Sequence, residues 1–163
     1  SRYPVPEVPG SGARAMRDPQ KKRVYSWEHS FSDWNRSGYT NTECRAAIRW
    51  ACNLYGLKTP RIAFHATKAF SFSVGGDEPC ISLGSDQRNA AVALHEAAHY
   101  ICDTIFGDNL ADHSPEWMGI YLWLLEGYRV APRTALHASA RAKKIKWVQT
   151  WLVSPKRLGR RRA

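Results

Sequence analysis

The chain has 163 residues, 44% of them hydrophobic and 12% aromatic, which is the composition of one globular domain. No apolar stretch approaches the roughly 20 residues of a membrane span, and the first residues lack the basic-then-apolar order of a signal peptide. These features exclude a membrane partner and favour a cytoplasmic protein, or one carried within an assembly formed there.

The net charge of +10 is unevenly distributed. Residues 127–163 carry 11 Lys/Arg and no Asp/Glu, residues 1–23 have a balance of +4, and residues 24–126 have a balance of −5. A mildly acidic middle between two basic arms predicts a polyanionic partner, nucleic acid first. The alternative is that the basic arms only keep the protein soluble.

The four cysteines are widely spaced: Cys44, Cys52, Cys80 and Cys102. No two of them have the CxxC spacing of a zinc ribbon, which excludes that kind of metal site. We expect them to be reduced residues of the hydrophobic core.

The first half of the chain has helix signals and then strand signals. Thr40 and Glu43 form a T-x-x-E capping box, which predicts a helix over about 41–55 that Gly56 ends. After Gly56 the apolar residues recur at every second position instead of at helical spacing. This change predicts three short strands, 61–65, 69–74 and 80–83.

The second half is predicted to be mainly helical. Asp86 is a candidate N-cap for a helix that ends at Gly107, and a loop follows over 107–115. Two more helices are predicted, over about 116–128 and about 134–152, and the final SPKRLGRRRA is expected to be disordered alone. This order of elements predicts an α+β fold.

Residues 95–99 read HEAAH. His95 and His99 are four residues apart on the predicted helix, so both imidazoles project from one face and can bind one ion at about 2.0–2.1 Å. Glu96 lies about 100° around the helix, where it can reach a zinc-bound water without being a ligand. The spacing therefore predicts a Zn²⁺ hydrolase site with Glu96 as the general base.

A catalytic zinc needs a third protein ligand and an open fourth position. His113 follows His99 after the 13 residues YICDTIFGDNLAD, which is enough chain to end the helix at Gly107 and return over the metal. His113 is the favoured third ligand. Glu116 and Glu126 are the alternatives.

The segment HSPEW, followed directly by an apolar helix, resembles the third-ligand segment of SprT-like metalloproteases. In that family, HExxH is followed after a similar loop by a His-Gly-x-x-aromatic segment. The resemblance covers about residues 40–127, but Ser114 stands where the family usually has Gly, and the cysteine ribbon of some members is missing. It implies a minimal zincin-like domain with zinc on three histidines and a glutamate base: His95, His99, His113 and Glu96.

Composition and charge, together with the resemblance, divide the chain into three parts. These are a basic Pro/Gly-rich arm (1–23), a zincin-like metalloprotease domain (24–132) and a basic C-terminal helix with an Arg-rich tail (133–163). Around the site, Asp103 or Asp112 is a candidate to orient a ligand imidazole, but the favoured interpretation of each is an exposed carboxylate. The candidates for stabilising an oxyanion are Tyr100, Tyr121 and Tyr128.

The C-terminal part carries candidate nucleic-acid-binding residues: Lys143, Lys144, Lys146, Lys156, Arg157, Arg160, Arg161 and Arg162. Trp147 and Trp151 lie among them and can stack on unpaired bases. Such binding would be non-specific and salt-dependent. The alternatives are that both tryptophans anchor the last helix in the core, and that the arginines contact an acidic protein surface.

The sequence thus predicts a zinc endopeptidase that acts on proteins near nucleic acid or a nucleoprotein assembly. The main alternative is a zincin-fold structural or binding component of a large assembly, with a silent zinc site. A zinc hydrolase that acts on a non-protein amide is the third possibility, because the same chemistry accepts other carbonyls.

Overall fold

A computed structural model describes residues 17–31, 38–66, 72–74 and 77–159. The predicted α+β class is confirmed. The helices are α1 (Lys21–Ser30), α2 (Asn41–Leu54), α3 (Ala90–Phe106), α4 (Pro115–Gly127), α5 (Arg133–Ala142) and α6 (Pro155–Gly159), with a 3₁₀ turn at Thr150–Val153. The strands are β1 (Arg61–His65), β2 (Phe72–Val74) and β3 (Cys80–Gly84). No helix among the described residues is long and apolar enough to cross a membrane.

Helix α2 begins at the predicted capping box. The Thr40 side chain accepts from the backbone N–H of Glu43, and the Glu43 carboxylate accepts from the backbone N–H of Thr40. The helix packs against α3 through small and branched residues, Cys44, Ala47, Ile48, Ala51 and Cys52. Gly56 follows the helix end with φ of 66°, a conformation that glycine adopts without steric cost.

The strands form one sheet in the order β1-β3-β2. Central β3 pairs parallel with β1, from Arg61↔Cys80 to His65↔Gly84, and antiparallel with β2. Every residue of β3 is buried, as expected for the middle strand of a sheet covered by helices. Of the predicted strand 69–74, residues 69–71 lie outside the described residues.

The predicted N-cap of the HEAAH helix is wrong. Asn89 caps α3, because its side chain accepts from the backbone N–H of Val92. Asp86 lies instead in a turn that follows β3, where the backbone N–H of Gln87 donates to the carbonyl of Gly84. Gly107, with φ of 78°, ends the helix where predicted.

The predicted last helix, 134–152, is also wrong. Helix α5 ends at Ala142, and Lys144 adopts the left-handed conformation with φ of 55°. The backbone N–H of Ile145 then donates to the carbonyl of Ala140, a bond typical of a helix that terminates in this way. The chain continues as an irregular segment to the 3₁₀ turn, and part of the tail expected to be disordered forms α6 with Leu158 buried.

The core surrounds α3 and α4. The largest fully buried side chains include Trp27, Trp117 and Tyr121. The four cysteines are free and buried, as expected, and burial raises the pKa of the Cys52 thiol to about 12. The boundary predicted for the N-terminal arm, residue 23, falls within α1.

Candidate metal centre

Helix α3 supplies the first two candidate ligands. His95 and His99 are only 6% and 7% exposed, and their Nε2 atoms lie 3.1 Å apart. The i, i+4 spacing places both rings on one face of the helix, as the sequence predicts, and they meet edge to face.

His113 brings a third nitrogen to the same point. It is fully buried and directly precedes α4, where the Ser114 side chain caps the helix and Pro115 occupies the first turn. Its Nε2 lies 3.4 Å from Nε2 of His95. Three ligands held tetrahedrally at about 2.0–2.1 Å from zinc would be about 3.3 Å apart, so the spacing fits such an ion.

The described residues contain one group of potential metal ligands, and it consists of these three histidines. Their ligand atoms all lie within 4.8 Å of one another, so they can hold a metal ion. The alternative ligands Glu116 and Glu126 do not join the group. Glu126 instead pairs with Arg133 at 3.1 Å.

Two carboxylates fix the orientation of the rings. Nδ1 of His95 lies 3.0 Å from the Glu28 carboxylate, and Nδ1 of His113 lies 2.6 Å from Oδ2 of Asp18. A carboxylate can only accept, so Nδ1 carries the hydrogen in both rings. In the neutral imidazoles, each Nε2 then presents a lone pair, the form in which histidine binds metals.

Burial also favours the neutral form of His113. It lowers the pKa of this ring, although the hydrogen bond to Asp18 acts in the opposite direction. Two neutral rings with Nε2 lone pairs 3.4 Å apart repel each other, and a cation between them converts that repulsion into attraction. The donor set therefore fits a metal ion such as zinc.

Aromatic rings enclose the three histidines. The Trp117 ring lies 4.6–4.9 Å from each of the three imidazoles and is fully buried, so it closes one side of the site. The Tyr25 ring, from α1, lies 5.2 Å from His113 and is half-buried. Glu96 is 6% exposed, next to His95 on α3.

The predicted tyrosines have different surroundings. The Tyr121 hydroxyl lies 3.1 Å from both the Glu28 carboxylate and the Ala91 carbonyl, and its ring contacts His95. Burial raises the pKa of Tyr121 well above its usual value, so the hydroxyl keeps its proton. The Tyr100 hydroxyl donates to the carbonyl of Lys58, and Tyr128 packs against Trp50.

The sequence prediction missed the contribution of the N-terminal segment. The carboxylates on His113 and His95 are those of Asp18 and Glu28, neither of which is a candidate by sequence. Gln20 donates to the carbonyl of His113. The helical spacing of the apolar side chains of α1, at residues 24, 27 and 31, is a signal that would have placed Glu28 beside the buried face.

The predicted basic residues are partly described. Lys143, Lys144 and Lys146 are exposed on the segment after α5, and Lys156 and Arg157 are exposed on α6. Three others lie outside the described residues: Arg160, Arg161 and Arg162. Trp147 is half-buried, but Trp151 is 57% exposed, so the interpretation of Trp151 as a core anchor is wrong.

The carboxylates of Asp18 and Glu28 should contribute to zinc affinity. Asp18→Asn and Glu28→Gln should each weaken zinc affinity by about 10–100-fold, because the amide no longer polarises and fixes the ligand ring as the carboxylate does. Competition with a chromophoric chelator measures this. Asp108→Asn, on an exposed turn, is the matched control. Unchanged affinity in both site variants would contradict the role assigned to the carboxylates.

Comparisons with known proteins give one result. No protein-family model, curated protein or solved structure matches this chain. The metal centre is therefore inferred from the residues of this chain alone.

Proposed function

We propose that the chain is a zinc-dependent endopeptidase. The observation that carries this is the convergence of three histidines, in which Nε2 of His95 lies 3.1 Å from that of His99 and 3.4 Å from that of His113. The sequence supplies Glu96 beside these ligands. A structural zinc site has four protein ligands, whereas three histidines and a neighbouring glutamate are the donor set of a hydrolase.

The chemistry assigns a separate task to each residue. Zinc bound by three histidines would act as a Lewis acid on the water or carbonyl that enters its fourth position. Glu96 takes the proton from the attacking water and returns it to the leaving amine. Glu28 and Asp18 hold the hydrogen on Nδ1 of His95 and His113, which keeps each Nε2 directed at the metal.

The arrangement supports a SprT-like zincin fold as part of the proposal. A capped helix, α2, precedes the sheet, the HEAAH helix follows it, and the third histidine directly precedes α4. The C-terminal part is basic and has no acidic residue from 127 onward. This charge supports binding near nucleic acid, where the substrates would be proteins.

One observation favours the second candidate, a zincin-fold structural component with a silent site. All three histidines are at most 7% exposed, and Tyr25 of α1 lies against two of them. A substrate carbonyl would need access past these side chains. A site closed in this way would hold metal without turnover.

Metal removal tests the proposal. The zinc-loaded protein should cleave an unfolded protein substrate, a chelator should abolish the cleavage, and one equivalent of zinc should restore it. Gel analysis of the products against time measures this, with a DNA-bound protein as a second substrate. Stoichiometric zinc without cleavage of either substrate would instead favour the structural candidate.

A further inference from the structure

We propose that the C-terminal part forms a binding surface for single-stranded nucleic acid, in which Trp151 stacks on an unpaired base. This surface, called here the basic-aromatic surface, comprises Arg141, Lys143, Lys144, Lys146, Trp147, Trp151, Lys156 and Arg157. The proposal deepens the proposed function, since it names the polyanion that would hold the endopeptidase near its substrates. Binding itself needs neither zinc nor hydrolysis.

Trp151 is the most unusual residue of this surface. Its side chain is 57% exposed, and Leu54, at 38%, is the other large hydrophobic residue exposed among those described. The guanidinium of Arg157 lies 5.3 Å from the centre of the Trp151 ring. An exposed indole next to a guanidinium can stack on a base while the cation contacts a phosphate.

A second arginine–tryptophan pair, Arg141 and Trp147, lies a few residues earlier in the chain. The Arg141 guanidinium lies 5.6 Å from the Trp147 ring, and the His137 ring lies 5.1 Å from it. Trp147 is half-buried, so part of its ring is accessible. Two tryptophan–arginine pairs within one short stretch fit successive nucleotides of an extended strand.

The lysines are displayed from a fixed backbone. The Gln20 amide donates to the carbonyl of Lys146 and accepts from its backbone N–H, both at 3.0 Å, and Gln20 is 3% exposed. Because Gln20 also donates to the carbonyl of His113, at 2.8 Å, the basic-aromatic surface adjoins the metal centre. A strand held there would keep a bound protein close to the proposed site.

The charge favours a phosphate backbone, and the exposed indole favours unpaired bases. No acidic residue lies between 127 and 163 to repel a polyanion. An acidic protein surface would also match the lysines and arginines, but it lacks the regular series of aromatic rings that single-stranded nucleic acid offers to Trp151. In a duplex the bases are already stacked, so Trp151 would gain little.

Three probes separate these partners. Fluorescence anisotropy compares a labelled oligothymidine strand with an abasic strand of the same length and with polyglutamate. The full chain should bind oligothymidine about tenfold more tightly than the abasic strand, which keeps the phosphates but has no bases. Polyglutamate should bind more weakly than either strand.

Trp151→Ala should remove most of the difference in affinity between oligothymidine and the abasic strand, because only the half-buried Trp147 ring then remains to stack, and Trp151→Phe should retain most of that difference. Leu54→Ala is the matched control, because it removes an exposed apolar side chain elsewhere, and it should bind as wild type does. Thermal unfolding of each variant confirms that it is folded. Equal binding of oligothymidine and abasic strand by the wild type would overturn the proposal.

The salt dependence tests the lysines separately. Lys146→Ala with Lys156→Ala should reduce the slope of log affinity against log salt by about 0.7 for each phosphate that the variant no longer neutralises. Lys58→Ala, an exposed lysine on the loop after α2, should leave the slope unchanged. The proposal would also be overturned if polyglutamate bound more tightly than either strand and if Trp151→Ala left that affinity unchanged. This result would identify an acidic protein as the partner. Because no step here requires cleavage, failure of this proposal and failure of the endopeptidase proposal are distinguishable.

Discussion

His113→Ala is expected to lose stoichiometric zinc. The substitution leaves two imidazoles from one helix and removes the ligand that closes the site from the loop before α4. Loss of an orienting carboxylate alone weakens a metal site about 10–100-fold, so loss of the ligand itself should cost more than about 100-fold in affinity. Elemental analysis after gel filtration measures the zinc that remains bound.

Glu116→Ala is the matched control for this result. Glu116 lies three residues further along, in the first turn of α4, and is an alternative third ligand by sequence. The variant should retain one zinc per chain with affinity near that of wild type. Loss of metal in the Glu116 variant, with metal retained by the His113 variant, would overturn the ligand set.

Glu96→Gln should abolish hydrolysis while zinc remains bound. The amide keeps the size of the side chain but cannot take a proton from water, and a general base typically contributes about 10²–10⁴-fold to the rate. We therefore expect kcat to fall by about that factor. Cleavage of an unfolded protein, normalised to zinc content, measures the effect.

Glu126→Gln is the control for the Glu96 variant. Glu126 is paired with Arg133 at the surface, at the end of α4, and takes no part in the ligand group. Its substitution should leave the rate unchanged. A Glu96→Gln enzyme that cleaves as fast as wild type would show that Glu96 is not the base.

Local signals account for the start of α2 and for the pairing of two ligands on α3. The capping box at Thr40 and the i, i+4 histidines depend on neighbours within one or two turns, and such signals are readable from sequence. The place of His113 is also predictable, because 13 residues suffice for one helix end and a return loop. These parts of the fold and site agree with the structure.

Contacts between residues far apart in the chain cannot be predicted from such local signals. Asp18 lies 95 residues from His113 in the chain, and Glu28 lies 67 residues from His95. The apolar spacing in α1 indicates which face of this segment is buried, but nothing local indicates which histidines its carboxylates contact. Proximity in sequence makes only Asp103 and Asp112 candidates, and it is the tertiary fold that brings Asp18 and Glu28 to the rings.

The error in the last helix also has a tertiary cause. The apolar residues at 136, 145, 148 and 152 recur at spacings compatible with one helix, yet the helix ends at Ala142. Lys144 adopts the left-handed conformation that glycine usually marks, and Gln20 binds both backbone groups of Lys146. Tertiary hydrogen bonds here outweigh helical periodicity.

We propose that His95, His99 and His113 bind one zinc ion. Anomalous diffraction from crystals of the wild-type protein at the zinc absorption edge locates this ion. We predict a single peak about 2.0–2.1 Å from Nε2 of each of the three histidines. Absence of a peak between these rings, or a peak at other side chains, would contradict the claim.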